Sequence, residues 1–302
     1  MQTSLDNLIL KVEGVTIFQW DSFRRQLEIA ETYGRIPRVT FYIGVGISKY
    51  HYNLVIGQGA GAVHIGFKHN ASKEHRESYD LRLEVNPSKT SQDASEDAQG
   101  WFRELFTHSF MMNRKTIKGI DLAFDIPVQK ESLMVVSMTG RDRDILKGTH
   151  YYGERGQHGR LKVYDKKKEL KKKQGIEIEE KHLTRVEYSL RLDEPITIQW
   201  FAAIDNLSIN KMYQVSMIGE EEIDPMVRAI IYSVNNGQQQ LKEFSRTYQK
   251  KTKKALEDMG LVDLDQAYSN AHDEIIKIIK LYLAPTKNNI IDNHLDREKV
   301  SN

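Results

Sequence analysis

One tyrosine of the chain lies where a strand-like run meets a dense cluster of lysines. Tyr164 stands in "GRLKVYDKKKELKKK", residues 159–173, with Lys162 two residues before it and six lysines after it. A phenol is a weak nucleophile at its ordinary pKa of about 10, and nearby cations both favour the phenolate and attract anionic groups. The stretch therefore predicts a tyrosine nucleophile that attacks a strongly anionic substrate. The alternative is a strand end followed by a solvated basic helix.

Four carboxylates follow the same alternating pattern as this tyrosine. The strand-like segments "DLRLEVN", "IDLAFDI" and "TRVEYSLRL" place apolar and polar residues in turn, and residues two apart share one face of a strand. If these segments join "RLKVYDK" in one sheet, its polar face carries acidic and basic groups together. The acidic residues are Glu84, Asp121, Asp125 and Glu187, and the basic ones include Lys162 and Arg185.

This polar face has two interpretations. Clustered carboxylates are the ligands that Mg²⁺ and Mn²⁺ prefer, and neighbouring cations suit a phosphate that bridges to such a metal. The four acidic residues are therefore the predicted metal ligands, and Asp125 is expected to act one shell further out. An antiparallel sheet with one solvated face and ordinary cross-strand ion pairs explains the same pattern without a metal.

The elements that must position these residues predict an α+β fold. Strand-like segments dominate residues 1–195, which we interpret as a catalytic domain built on a central, mostly antiparallel sheet with flanking helices. Residues 196–285 are helix-like and are predicted to form a DNA-binding region, and the polar residues 286–302 read as a disordered tail. A helix is also predicted in "DSFRRQLEIAETYG", with Asp21 or Ser22 as its cap.

Two lysine-rich helices are the candidate DNA contacts. Lys166, Lys167 and Lys168 open the run after Tyr164, and Lys242, Arg246, Lys250 and Lys253 follow three- and four-residue steps in a predicted helix over residues 238–260. For each helix, the alternative is a solvated basic face.

Composition excludes several other kinds of chemistry. The net charge is +2, so any site for a polyanion must come from local clustering. The absence of cysteine excludes disulfides and thiol catalysis. No apolar run approaches the roughly 20 residues that span a bilayer, and no signal peptide is recognisable, so a cytoplasmic protein without a membrane association is expected.

Three segments, taken in order, resemble the replication initiators of small Gram-positive rolling-circle plasmids, the Rep_trans family. They are "GIDLAFDI", "YYGERGQHGRLKVYDKKKE" and "HLTRVEYSLR", supported by "LRLEVNPSK" and "ITIQWFAAIDNLSI". Relaxases of some integrative conjugative elements belong to the same family. The chain departs from it at Lys162, where many members have arginine, and in the loop "ERGQHG".

The resemblance implies a metal-dependent DNA nicking-closing transesterase. Tyr164 is the position that matches the nucleophile, which becomes joined to a 5′ phosphate at a nick in the origin. The positions Glu84, Asp121, Asp125 and Glu187 match the acidic site. The resemblance also implies a homodimer, recognition of duplex origin DNA, a single-stranded nick site and recruitment of a host replicative helicase.

The sequence thus predicts a rolling-circle replication initiator that uses Tyr164, Lys162, Arg185 and a divalent metal, Mg²⁺ or Mn²⁺. The alternatives are a relaxase of a conjugative element with the same chemistry, a non-catalytic DNA-binding regulator of the same fold, and a metal nuclease that uses water as its nucleophile. Two further tyrosines, Tyr151 and Tyr152, compete with Tyr164 as the nucleophile.

Overall fold

The chain folds into two compact units, each built from segments that are not consecutive. The computed structural model describes residues 1–43, 50–70, 78–89, 96–217, 223–235 and 238–283. The first unit comprises Met1–Lys11, Glu84–Lys89 and Thr116–Ile276, and the second comprises Val12–Leu83, Thr90–Lys115 and the segment from Lys277 onward. The predicted tail, residues 286–302, lies outside the described residues.

The strands are β1 Gln2–Val15, β2 Val39–Ile43, β3 Tyr52–Ile56, β4 Val63–Asn70, β5 Ser78–Val85, β6 Lys115–Ile126, β7 Leu133–Ser137, β8 Arg143–Leu146, β9 Thr149–Tyr152, β10 Arg160–Asp165, β11 Thr184–Ile196 and β12 Tyr213–Met217. The α-helices are α1 Ile17–Thr32, α2 Glu96–Ser109, α3 Lys166–Gln174, α4 Ile198–Ala202, α5 Ile209–Met212, α6 Pro225–Asn235, α7 Arg246–Asp258 and α8 Leu264–Lys280. This content confirms the predicted α+β class.

The sheet of the first unit carries the predicted polar face. Its strand order is β1-β6-β11-β10-β9-β8, and the pairs β6–β11, β11–β10, β10–β9 and β9–β8 are antiparallel. The opposite face is apolar and fully buried, with Leu122, Phe124, Val186 and Leu161 at its centre. Burial of each such side chain stabilises the fold by roughly 1.5–3 kcal/mol, so this core fixes the register of the polar face.

A second small sheet supports the helical part of the first unit. Strands β7 and β12 pair antiparallel, and Met134 and Val136 of β7 pack in one cluster with buried residues of α6 and α7. The sequence did not predict β12, because its five residues stand between helix-like segments and its partner lies about eighty residues earlier.

The second unit packs two helices against its own strands. The strand order there is β2-β3-β4-β5, with Trp20 of α1 stacked on Phe67 of β4 at 4.7 Å between ring centroids. Helix α1 begins at Ile17, because two reciprocal hydrogen bonds cap it. The Thr16 side chain accepts from the Gln19 backbone amide, and the Gln19 side chain accepts from the Thr16 backbone amide. The prediction that Asp21 or Ser22 caps this helix was therefore wrong.

Two further differences concern the N-terminal segment and the helical region of the chain. The segment 2–15 forms the long strand β1, although the sequence indicated no element there. The predicted helix over residues 238–260 is interrupted: Leu241–Glu243 is a short 3₁₀ turn, and α7 begins after Ser245, whose side chain caps it.

Among the described residues, no helix is both long and apolar enough to cross a lipid bilayer.

Candidate active site

The register of three strands brings the predicted residues into two adjacent rows. Tyr164 of β10 lies opposite Arg185 of β11, which lies opposite Asp125 of β6. Two residues earlier in β10, Lys162 lies opposite Glu187 of β11. The alternation thus predicted the shared face that the strand pairing produces.

The hydroxyl of Tyr164 is bound to a carboxylate that also binds a lysine. It donates a hydrogen bond to Oε1 of Glu187 at 2.6 Å, and the ammonium of Lys162 contacts Oε2 of the same carboxylate. Glu187 is 4% exposed, so both contacts are formed away from bulk water. Burial alone would raise the pKa of Glu187, but the charge and hydrogen bond of Lys162 and the phenol hydroxyl hold it below its ordinary value.

The same environment keeps the phenol protonated. Burial, the Glu187 charge and the hydrogen bond to Glu187 raise the pKa of Tyr164 far above its ordinary value, and Arg185 opposes this only in part. The expectation that neighbouring lysines favour the phenolate was wrong for this arrangement of side chains. The ammonium of Lys166 lies over the ring, with Nζ 6.0 Å from the ring centroid.

Arg185 is clamped between two carboxylates and is not free in the site. Its Nε and Nη2 donate to the two oxygens of Asp125, each at 2.6 Å, and its Nη1 donates to Asp6 at 3.2 Å. Burial and the nearby Glu187 raise the pKa of Asp6, while Lys89, Arg185 and Lys162 act in the opposite direction. Because a bidentate guanidinium–carboxylate pair is rigid, this clamp fixes β11, the strand that carries Glu187, against β6 and β1.

The remaining predicted carboxylates meet at a side chain of the first strand. Nδ2 of Asn7 donates to Glu84 at 3.1 Å and to Asp121 at 3.3 Å, and Arg191 binds Asp121 at 2.7 Å. The ammonium of Lys162 interacts with Asp121 and Asp6 as well as with Glu187. The ammonium of Lys162 thus already lies among these carboxylates.

These carboxylates match a divalent metal in kind but not in their present positions. An all-oxygen donor set suits Mg²⁺ or Mn²⁺. In the part of the chain that the structure describes, however, no three acidic or histidine side chains converge closely enough to hold a metal ion. Asp125 uses both of its oxygens to bind Arg185.

The end of β10 turns directly into the lysine-rich helix. Asp165 accepts a hydrogen bond from the Lys168 amide at 2.8 Å and so caps α3, and Gly175 closes it in a left-handed conformation. The amide of Lys166 also donates to the Leu183 carbonyl at 2.8 Å. These contacts hold the start of the helix beside β11, one residue beyond Tyr164.

Only one of the three lysines predicted to contact DNA here is fully exposed. Lys166 is 4% exposed and its ammonium binds Glu169 at 2.8 Å, so it is not available to a ligand in this structure. Lys167 is half-buried and donates to the carbonyls of Ile178 and Glu180. Lys168 is exposed.

The second predicted basic face is shorter than the sequence indicated. Lys242 lies on the 3₁₀ turn before α7, with its ammonium 3.9 Å from Asp142, so it does not continue the helical face. Arg246 and Lys250 are exposed on α7, whereas Lys253 is half-buried. The exposed stripe of this helix runs through Lys254 instead of Lys253.

The two competing tyrosines lie on the neighbouring strand β9. Tyr151 pairs with Lys162 and so shares the polar face, and its ring lies 4.6 Å from the guanidinium carbon of Arg160. Tyr152 is 3% exposed and its hydroxyl lies 3.4 Å from the Val135 carbonyl. Of these two, only Tyr151 can reach a ligand on the polar face.

Sequence reasoning missed the contribution of β1 to the site. Asp6 and Asn7 touch four of the residues described above, yet "SLDNLILKV" has apolar residues in both registers of a strand. Such a strand is covered on both faces and shows no alternation. The only signal was a pair of polar residues in an otherwise apolar run.

Comparison with known proteins finds relatives whose name refers to replication. No protein-family model matches the chain. Two curated relatives from Staphylococcus aureus, each named "Replication initiation protein", are 25% identical to it over 190 residues, which is 61% of this chain and 56% of each relative. The chain thus spans about half the length of the curated relatives it matches. Their name confirms the resemblance to replication initiators.

One solved structure is also similar. It is described as "Structure of Rolling Circle Replication Initiator Protein from Geobacillus stearothermophilus" and is 11% identical, with a TM-score of 0.41 over 85% of this chain and 97% of that one. A TM-score of this size does not establish a common fold.

Proposed function

We propose that the chain is a rolling-circle replication initiator that nicks and religates one strand of origin DNA through a covalent 5′-phosphotyrosyl intermediate. The observation that carries the proposal is the hydrogen bond of 2.6 Å from the Tyr164 hydroxyl to Glu187, beside Lys162 and at a strand end that meets a basic helix. The name of the two curated relatives supports the biological setting.

The chemistry is a transesterification in which one phosphoester bond replaces another. The Tyr164 oxygen attacks the scissile phosphorus, the bond from phosphorus to the 3′ oxygen breaks, and the freed strand end leaves as a 3′ hydroxyl. Because the phenol is protonated at rest, its proton passes to Glu187 as the new bond forms, and Glu187 then returns a proton to the departing 3′ oxygen, so the carboxylate is regenerated. Religation runs the same steps in reverse, so it needs no nucleotide cofactor.

The two cations beside the tyrosine have different roles. Lys162 binds Glu187 at rest and lies next to the phenol, so it can bind a non-bridging oxygen of the phosphate. Arg185 is held by Asp125 and Asp6 and positions the strand that carries Glu187. Removal of Arg185 would leave the half-buried Asp125 without its bidentate partner and the buried Asp6 with Lys89 alone, so its loss should also destabilise the fold.

The acidic residues suit a divalent cation, Mg²⁺ or Mn²⁺. Glu187, Asp121 and Glu84 would hold it, and Asp125 would act through Arg185. When bound, a divalent cation neutralises charge that develops on the scissile phosphate. Mn²⁺ binding followed by calorimetry tests this assignment apart from activity: Glu187→Gln or Asp121→Asn should weaken binding at least about tenfold. Unchanged Mn²⁺ affinity in both variants would exclude a metal at these carboxylates.

The partners follow from the same proposal. They are duplex origin DNA, a single-stranded nick site, a second copy of the chain and a host replicative helicase, and the compartment is the cytoplasm. A relaxase of a conjugative element would use the same residues on transfer-origin DNA.

Trapping a covalent adduct tests the proposal. Single-stranded oligonucleotides tiled across the DNA that flanks the coding sequence are incubated with the protein and Mn²⁺, and denaturant-resistant adducts are mapped by mass spectrometry. The wild-type chain should carry the downstream fragment on Tyr164, and Tyr164→Phe should lose both the adduct and nicking. Tyr151→Phe, on the same face, is the matched control and should retain both.

Each of the other outcomes identifies one of the alternative nucleophiles or functions. Nicking without an adduct indicates water as the nucleophile, and an adduct on Tyr151 moves the nucleophile to β9. Origin binding without nicking by the wild-type chain indicates a non-catalytic regulator.

A further inference from the structure

A cleft with five lysines in its lining lies beside the strand end that carries Tyr164. Its volume is about 360 Å³, and three segments form it: residues 128–131, 165–171 and 181–184. The basic residues of its lining are Lys130, Lys167, Lys168, Lys171, Lys181 and His182. Lys130 and Lys181 come from outside the lysine run that the sequence singled out.

The cleft lies at the end of the two strands that carry Tyr164 and Arg185. Asp165 and Thr184, which line it, are register partners, and the next pair along the same two strands is Tyr164 and Arg185. Consecutive residues of a strand are about 3.3 Å apart, so the cleft begins one residue beyond the nucleophile. A chain of phosphates that leaves the site along this end of the sheet reaches the cleft next.

The positive charge of the cleft is not cancelled by its own acids. Five lysines line it against two carboxylates, Asp165 and Glu131, and the Glu131 side chain is 76% exposed and 3.9 Å from Lys130. The ammonium of Lys167 donates to two carbonyls, which fix its position without neutralising it. Lys168 and Lys181 are exposed, and neither forms an ion pair with any residue the structure describes.

We propose that this cleft binds phosphodiester groups of the single DNA strand next to the scissile phosphate. Sequence-independent binding of a single strand uses a positively charged groove that follows the backbone. Concavities of about this volume hold ligands of drug size, which suits one or two nucleotides of a strand and not the width of a duplex. The assignment rests on the proposed function, because it gives the strand a path out of that site.

Binding of a labelled oligonucleotide at several salt concentrations tests the cleft. The variant Lys168→Ala/Lys181→Ala removes two exposed cleft lysines, and Lys172→Ala/Lys211→Ala removes two exposed lysines outside it. Each phosphate contact to a single strand contributes about 0.7 to the slope of log affinity against log salt concentration. The cleft variant should therefore lower the slope by about 1.4, and the control should leave it unchanged.

A second arm separates a strand from a free anion as the ligand. Inorganic phosphate is compared with sodium chloride at equal ionic strength as a competitor of the oligonucleotide. Equal competition supports binding of an extended strand, whereas much stronger competition by phosphate that disappears in the cleft variant indicates an isolated anion site and overturns the proposal. Equal slopes for the cleft and control variants also overturn it.

The cleft and the proposed chemistry can fail separately. Adduct formation is therefore measured on the wild-type chain, which keeps Tyr164, Glu187 and every cleft lysine, and the salt slope is measured on the variants. An unchanged salt slope together with normal adduct formation refutes the cleft alone. A changed slope in a protein that never forms an adduct leaves the binding cleft in place and refutes the nicking chemistry.

Discussion

The two lysine-rich helices, α3 and α7, differ in how the protein holds them. Helix α3, "KKKELKKKQ", is fixed at its ends by Asp165 and Gly175, and Glu169 binds both Lys166 and Lys173. Helix α7, "RTYQKKTKKALED", instead buries Thr252 and Leu256 completely. One helix is attached by hydrogen bonds and ion pairs, and the other by an apolar stripe.

The spacing of apolar residues explains the difference. In α7, Tyr248, Thr252 and Leu256 recur every four residues and face the core cluster, so the lysines are left on the solvent side. In α3, Leu170 is the single aliphatic residue. Two of the lysines therefore form contacts within the protein: Lys166 binds Glu169, and Lys167 binds the Ile178 carbonyl. A count of lysines therefore does not indicate which of them can bind DNA.

The largest expected effect contrasts the apolar attachments of the two helices. Leu256→Ala should lower the free energy of unfolding by about 2–5 kcal/mol, because Leu256 is fully buried in the core cluster. Leu170→Ala, at a half-buried position of α3, should cost about 1 kcal/mol or less. Urea denaturation measures both. Equal losses would show that α3 is also held by its apolar residue.

The next effect concerns which DNA each helix contacts. Lys250→Ala/Lys254→Ala on α7 should lower the salt slope of duplex-origin binding by about 1.8, since each duplex phosphate contact contributes about 0.9. Adduct formation on a short single-stranded oligonucleotide should not change. If this variant loses single-strand binding as strongly as duplex binding, the two helices do not divide the DNA between them.

A smaller effect comes from the helix caps. Asp165→Ala and Ser245→Ala remove the capping side chains of α3 and α7, and each should cost about 1 kcal/mol of stability. Asp165 follows Tyr164 directly, so its loss should also slow adduct formation, whereas Ser245→Ala should not. Single-turnover adduct assays beside thermal melts distinguish the two. A normal adduct rate in Asp165→Ala would uncouple α3 from the site.

The smallest effect is a dependence of α3 on acid pH. Burial would raise the pKa of Glu169, but Lys166 and Lys173 lower it from 4.5 to about 2. Because the folded pKa is depressed, the contribution is complete above pH 4.5 or so and is lost as the pH falls towards 2. Partial exposure limits it to about 1 kcal/mol or less. Glu169→Gln should remove this part of the acid dependence in pH-dependent unfolding.

Alternation along single strands predicted the polar face correctly. A period of two is a local property, so the shared face of Lys162, Tyr164, Arg185 and Glu187 could be read before any strand partner was known. Which of those side chains contact one another could not be predicted from alternation. The binding of both Asp125 oxygens by Arg185 depends on register, and register depends on the whole sheet.

The missed parts of the site come from distant or unpatterned segments. Strand β1 is apolar in both registers, so nothing local marked Asp6 and Asn7 as neighbours of Glu84 and Asp121. The break before α7 was missed because Ser245 lies in a run that keeps helical spacing on both sides. The burial of Lys166 depends on the segment around Leu183, far along the chain.

The bond between Arg185 and Asp6 also sets when a working site can exist during synthesis. The two residues are 179 positions apart. At 5–20 residues per second, the ribosome adds Arg185 about nine to thirty-six seconds after Asp6. Until then Asp6 has no guanidinium partner, and the row that carries Glu187 is incomplete. A nascent chain that stops before β11 therefore cannot form the proposed site, however much of the lysine-rich helix it already contains.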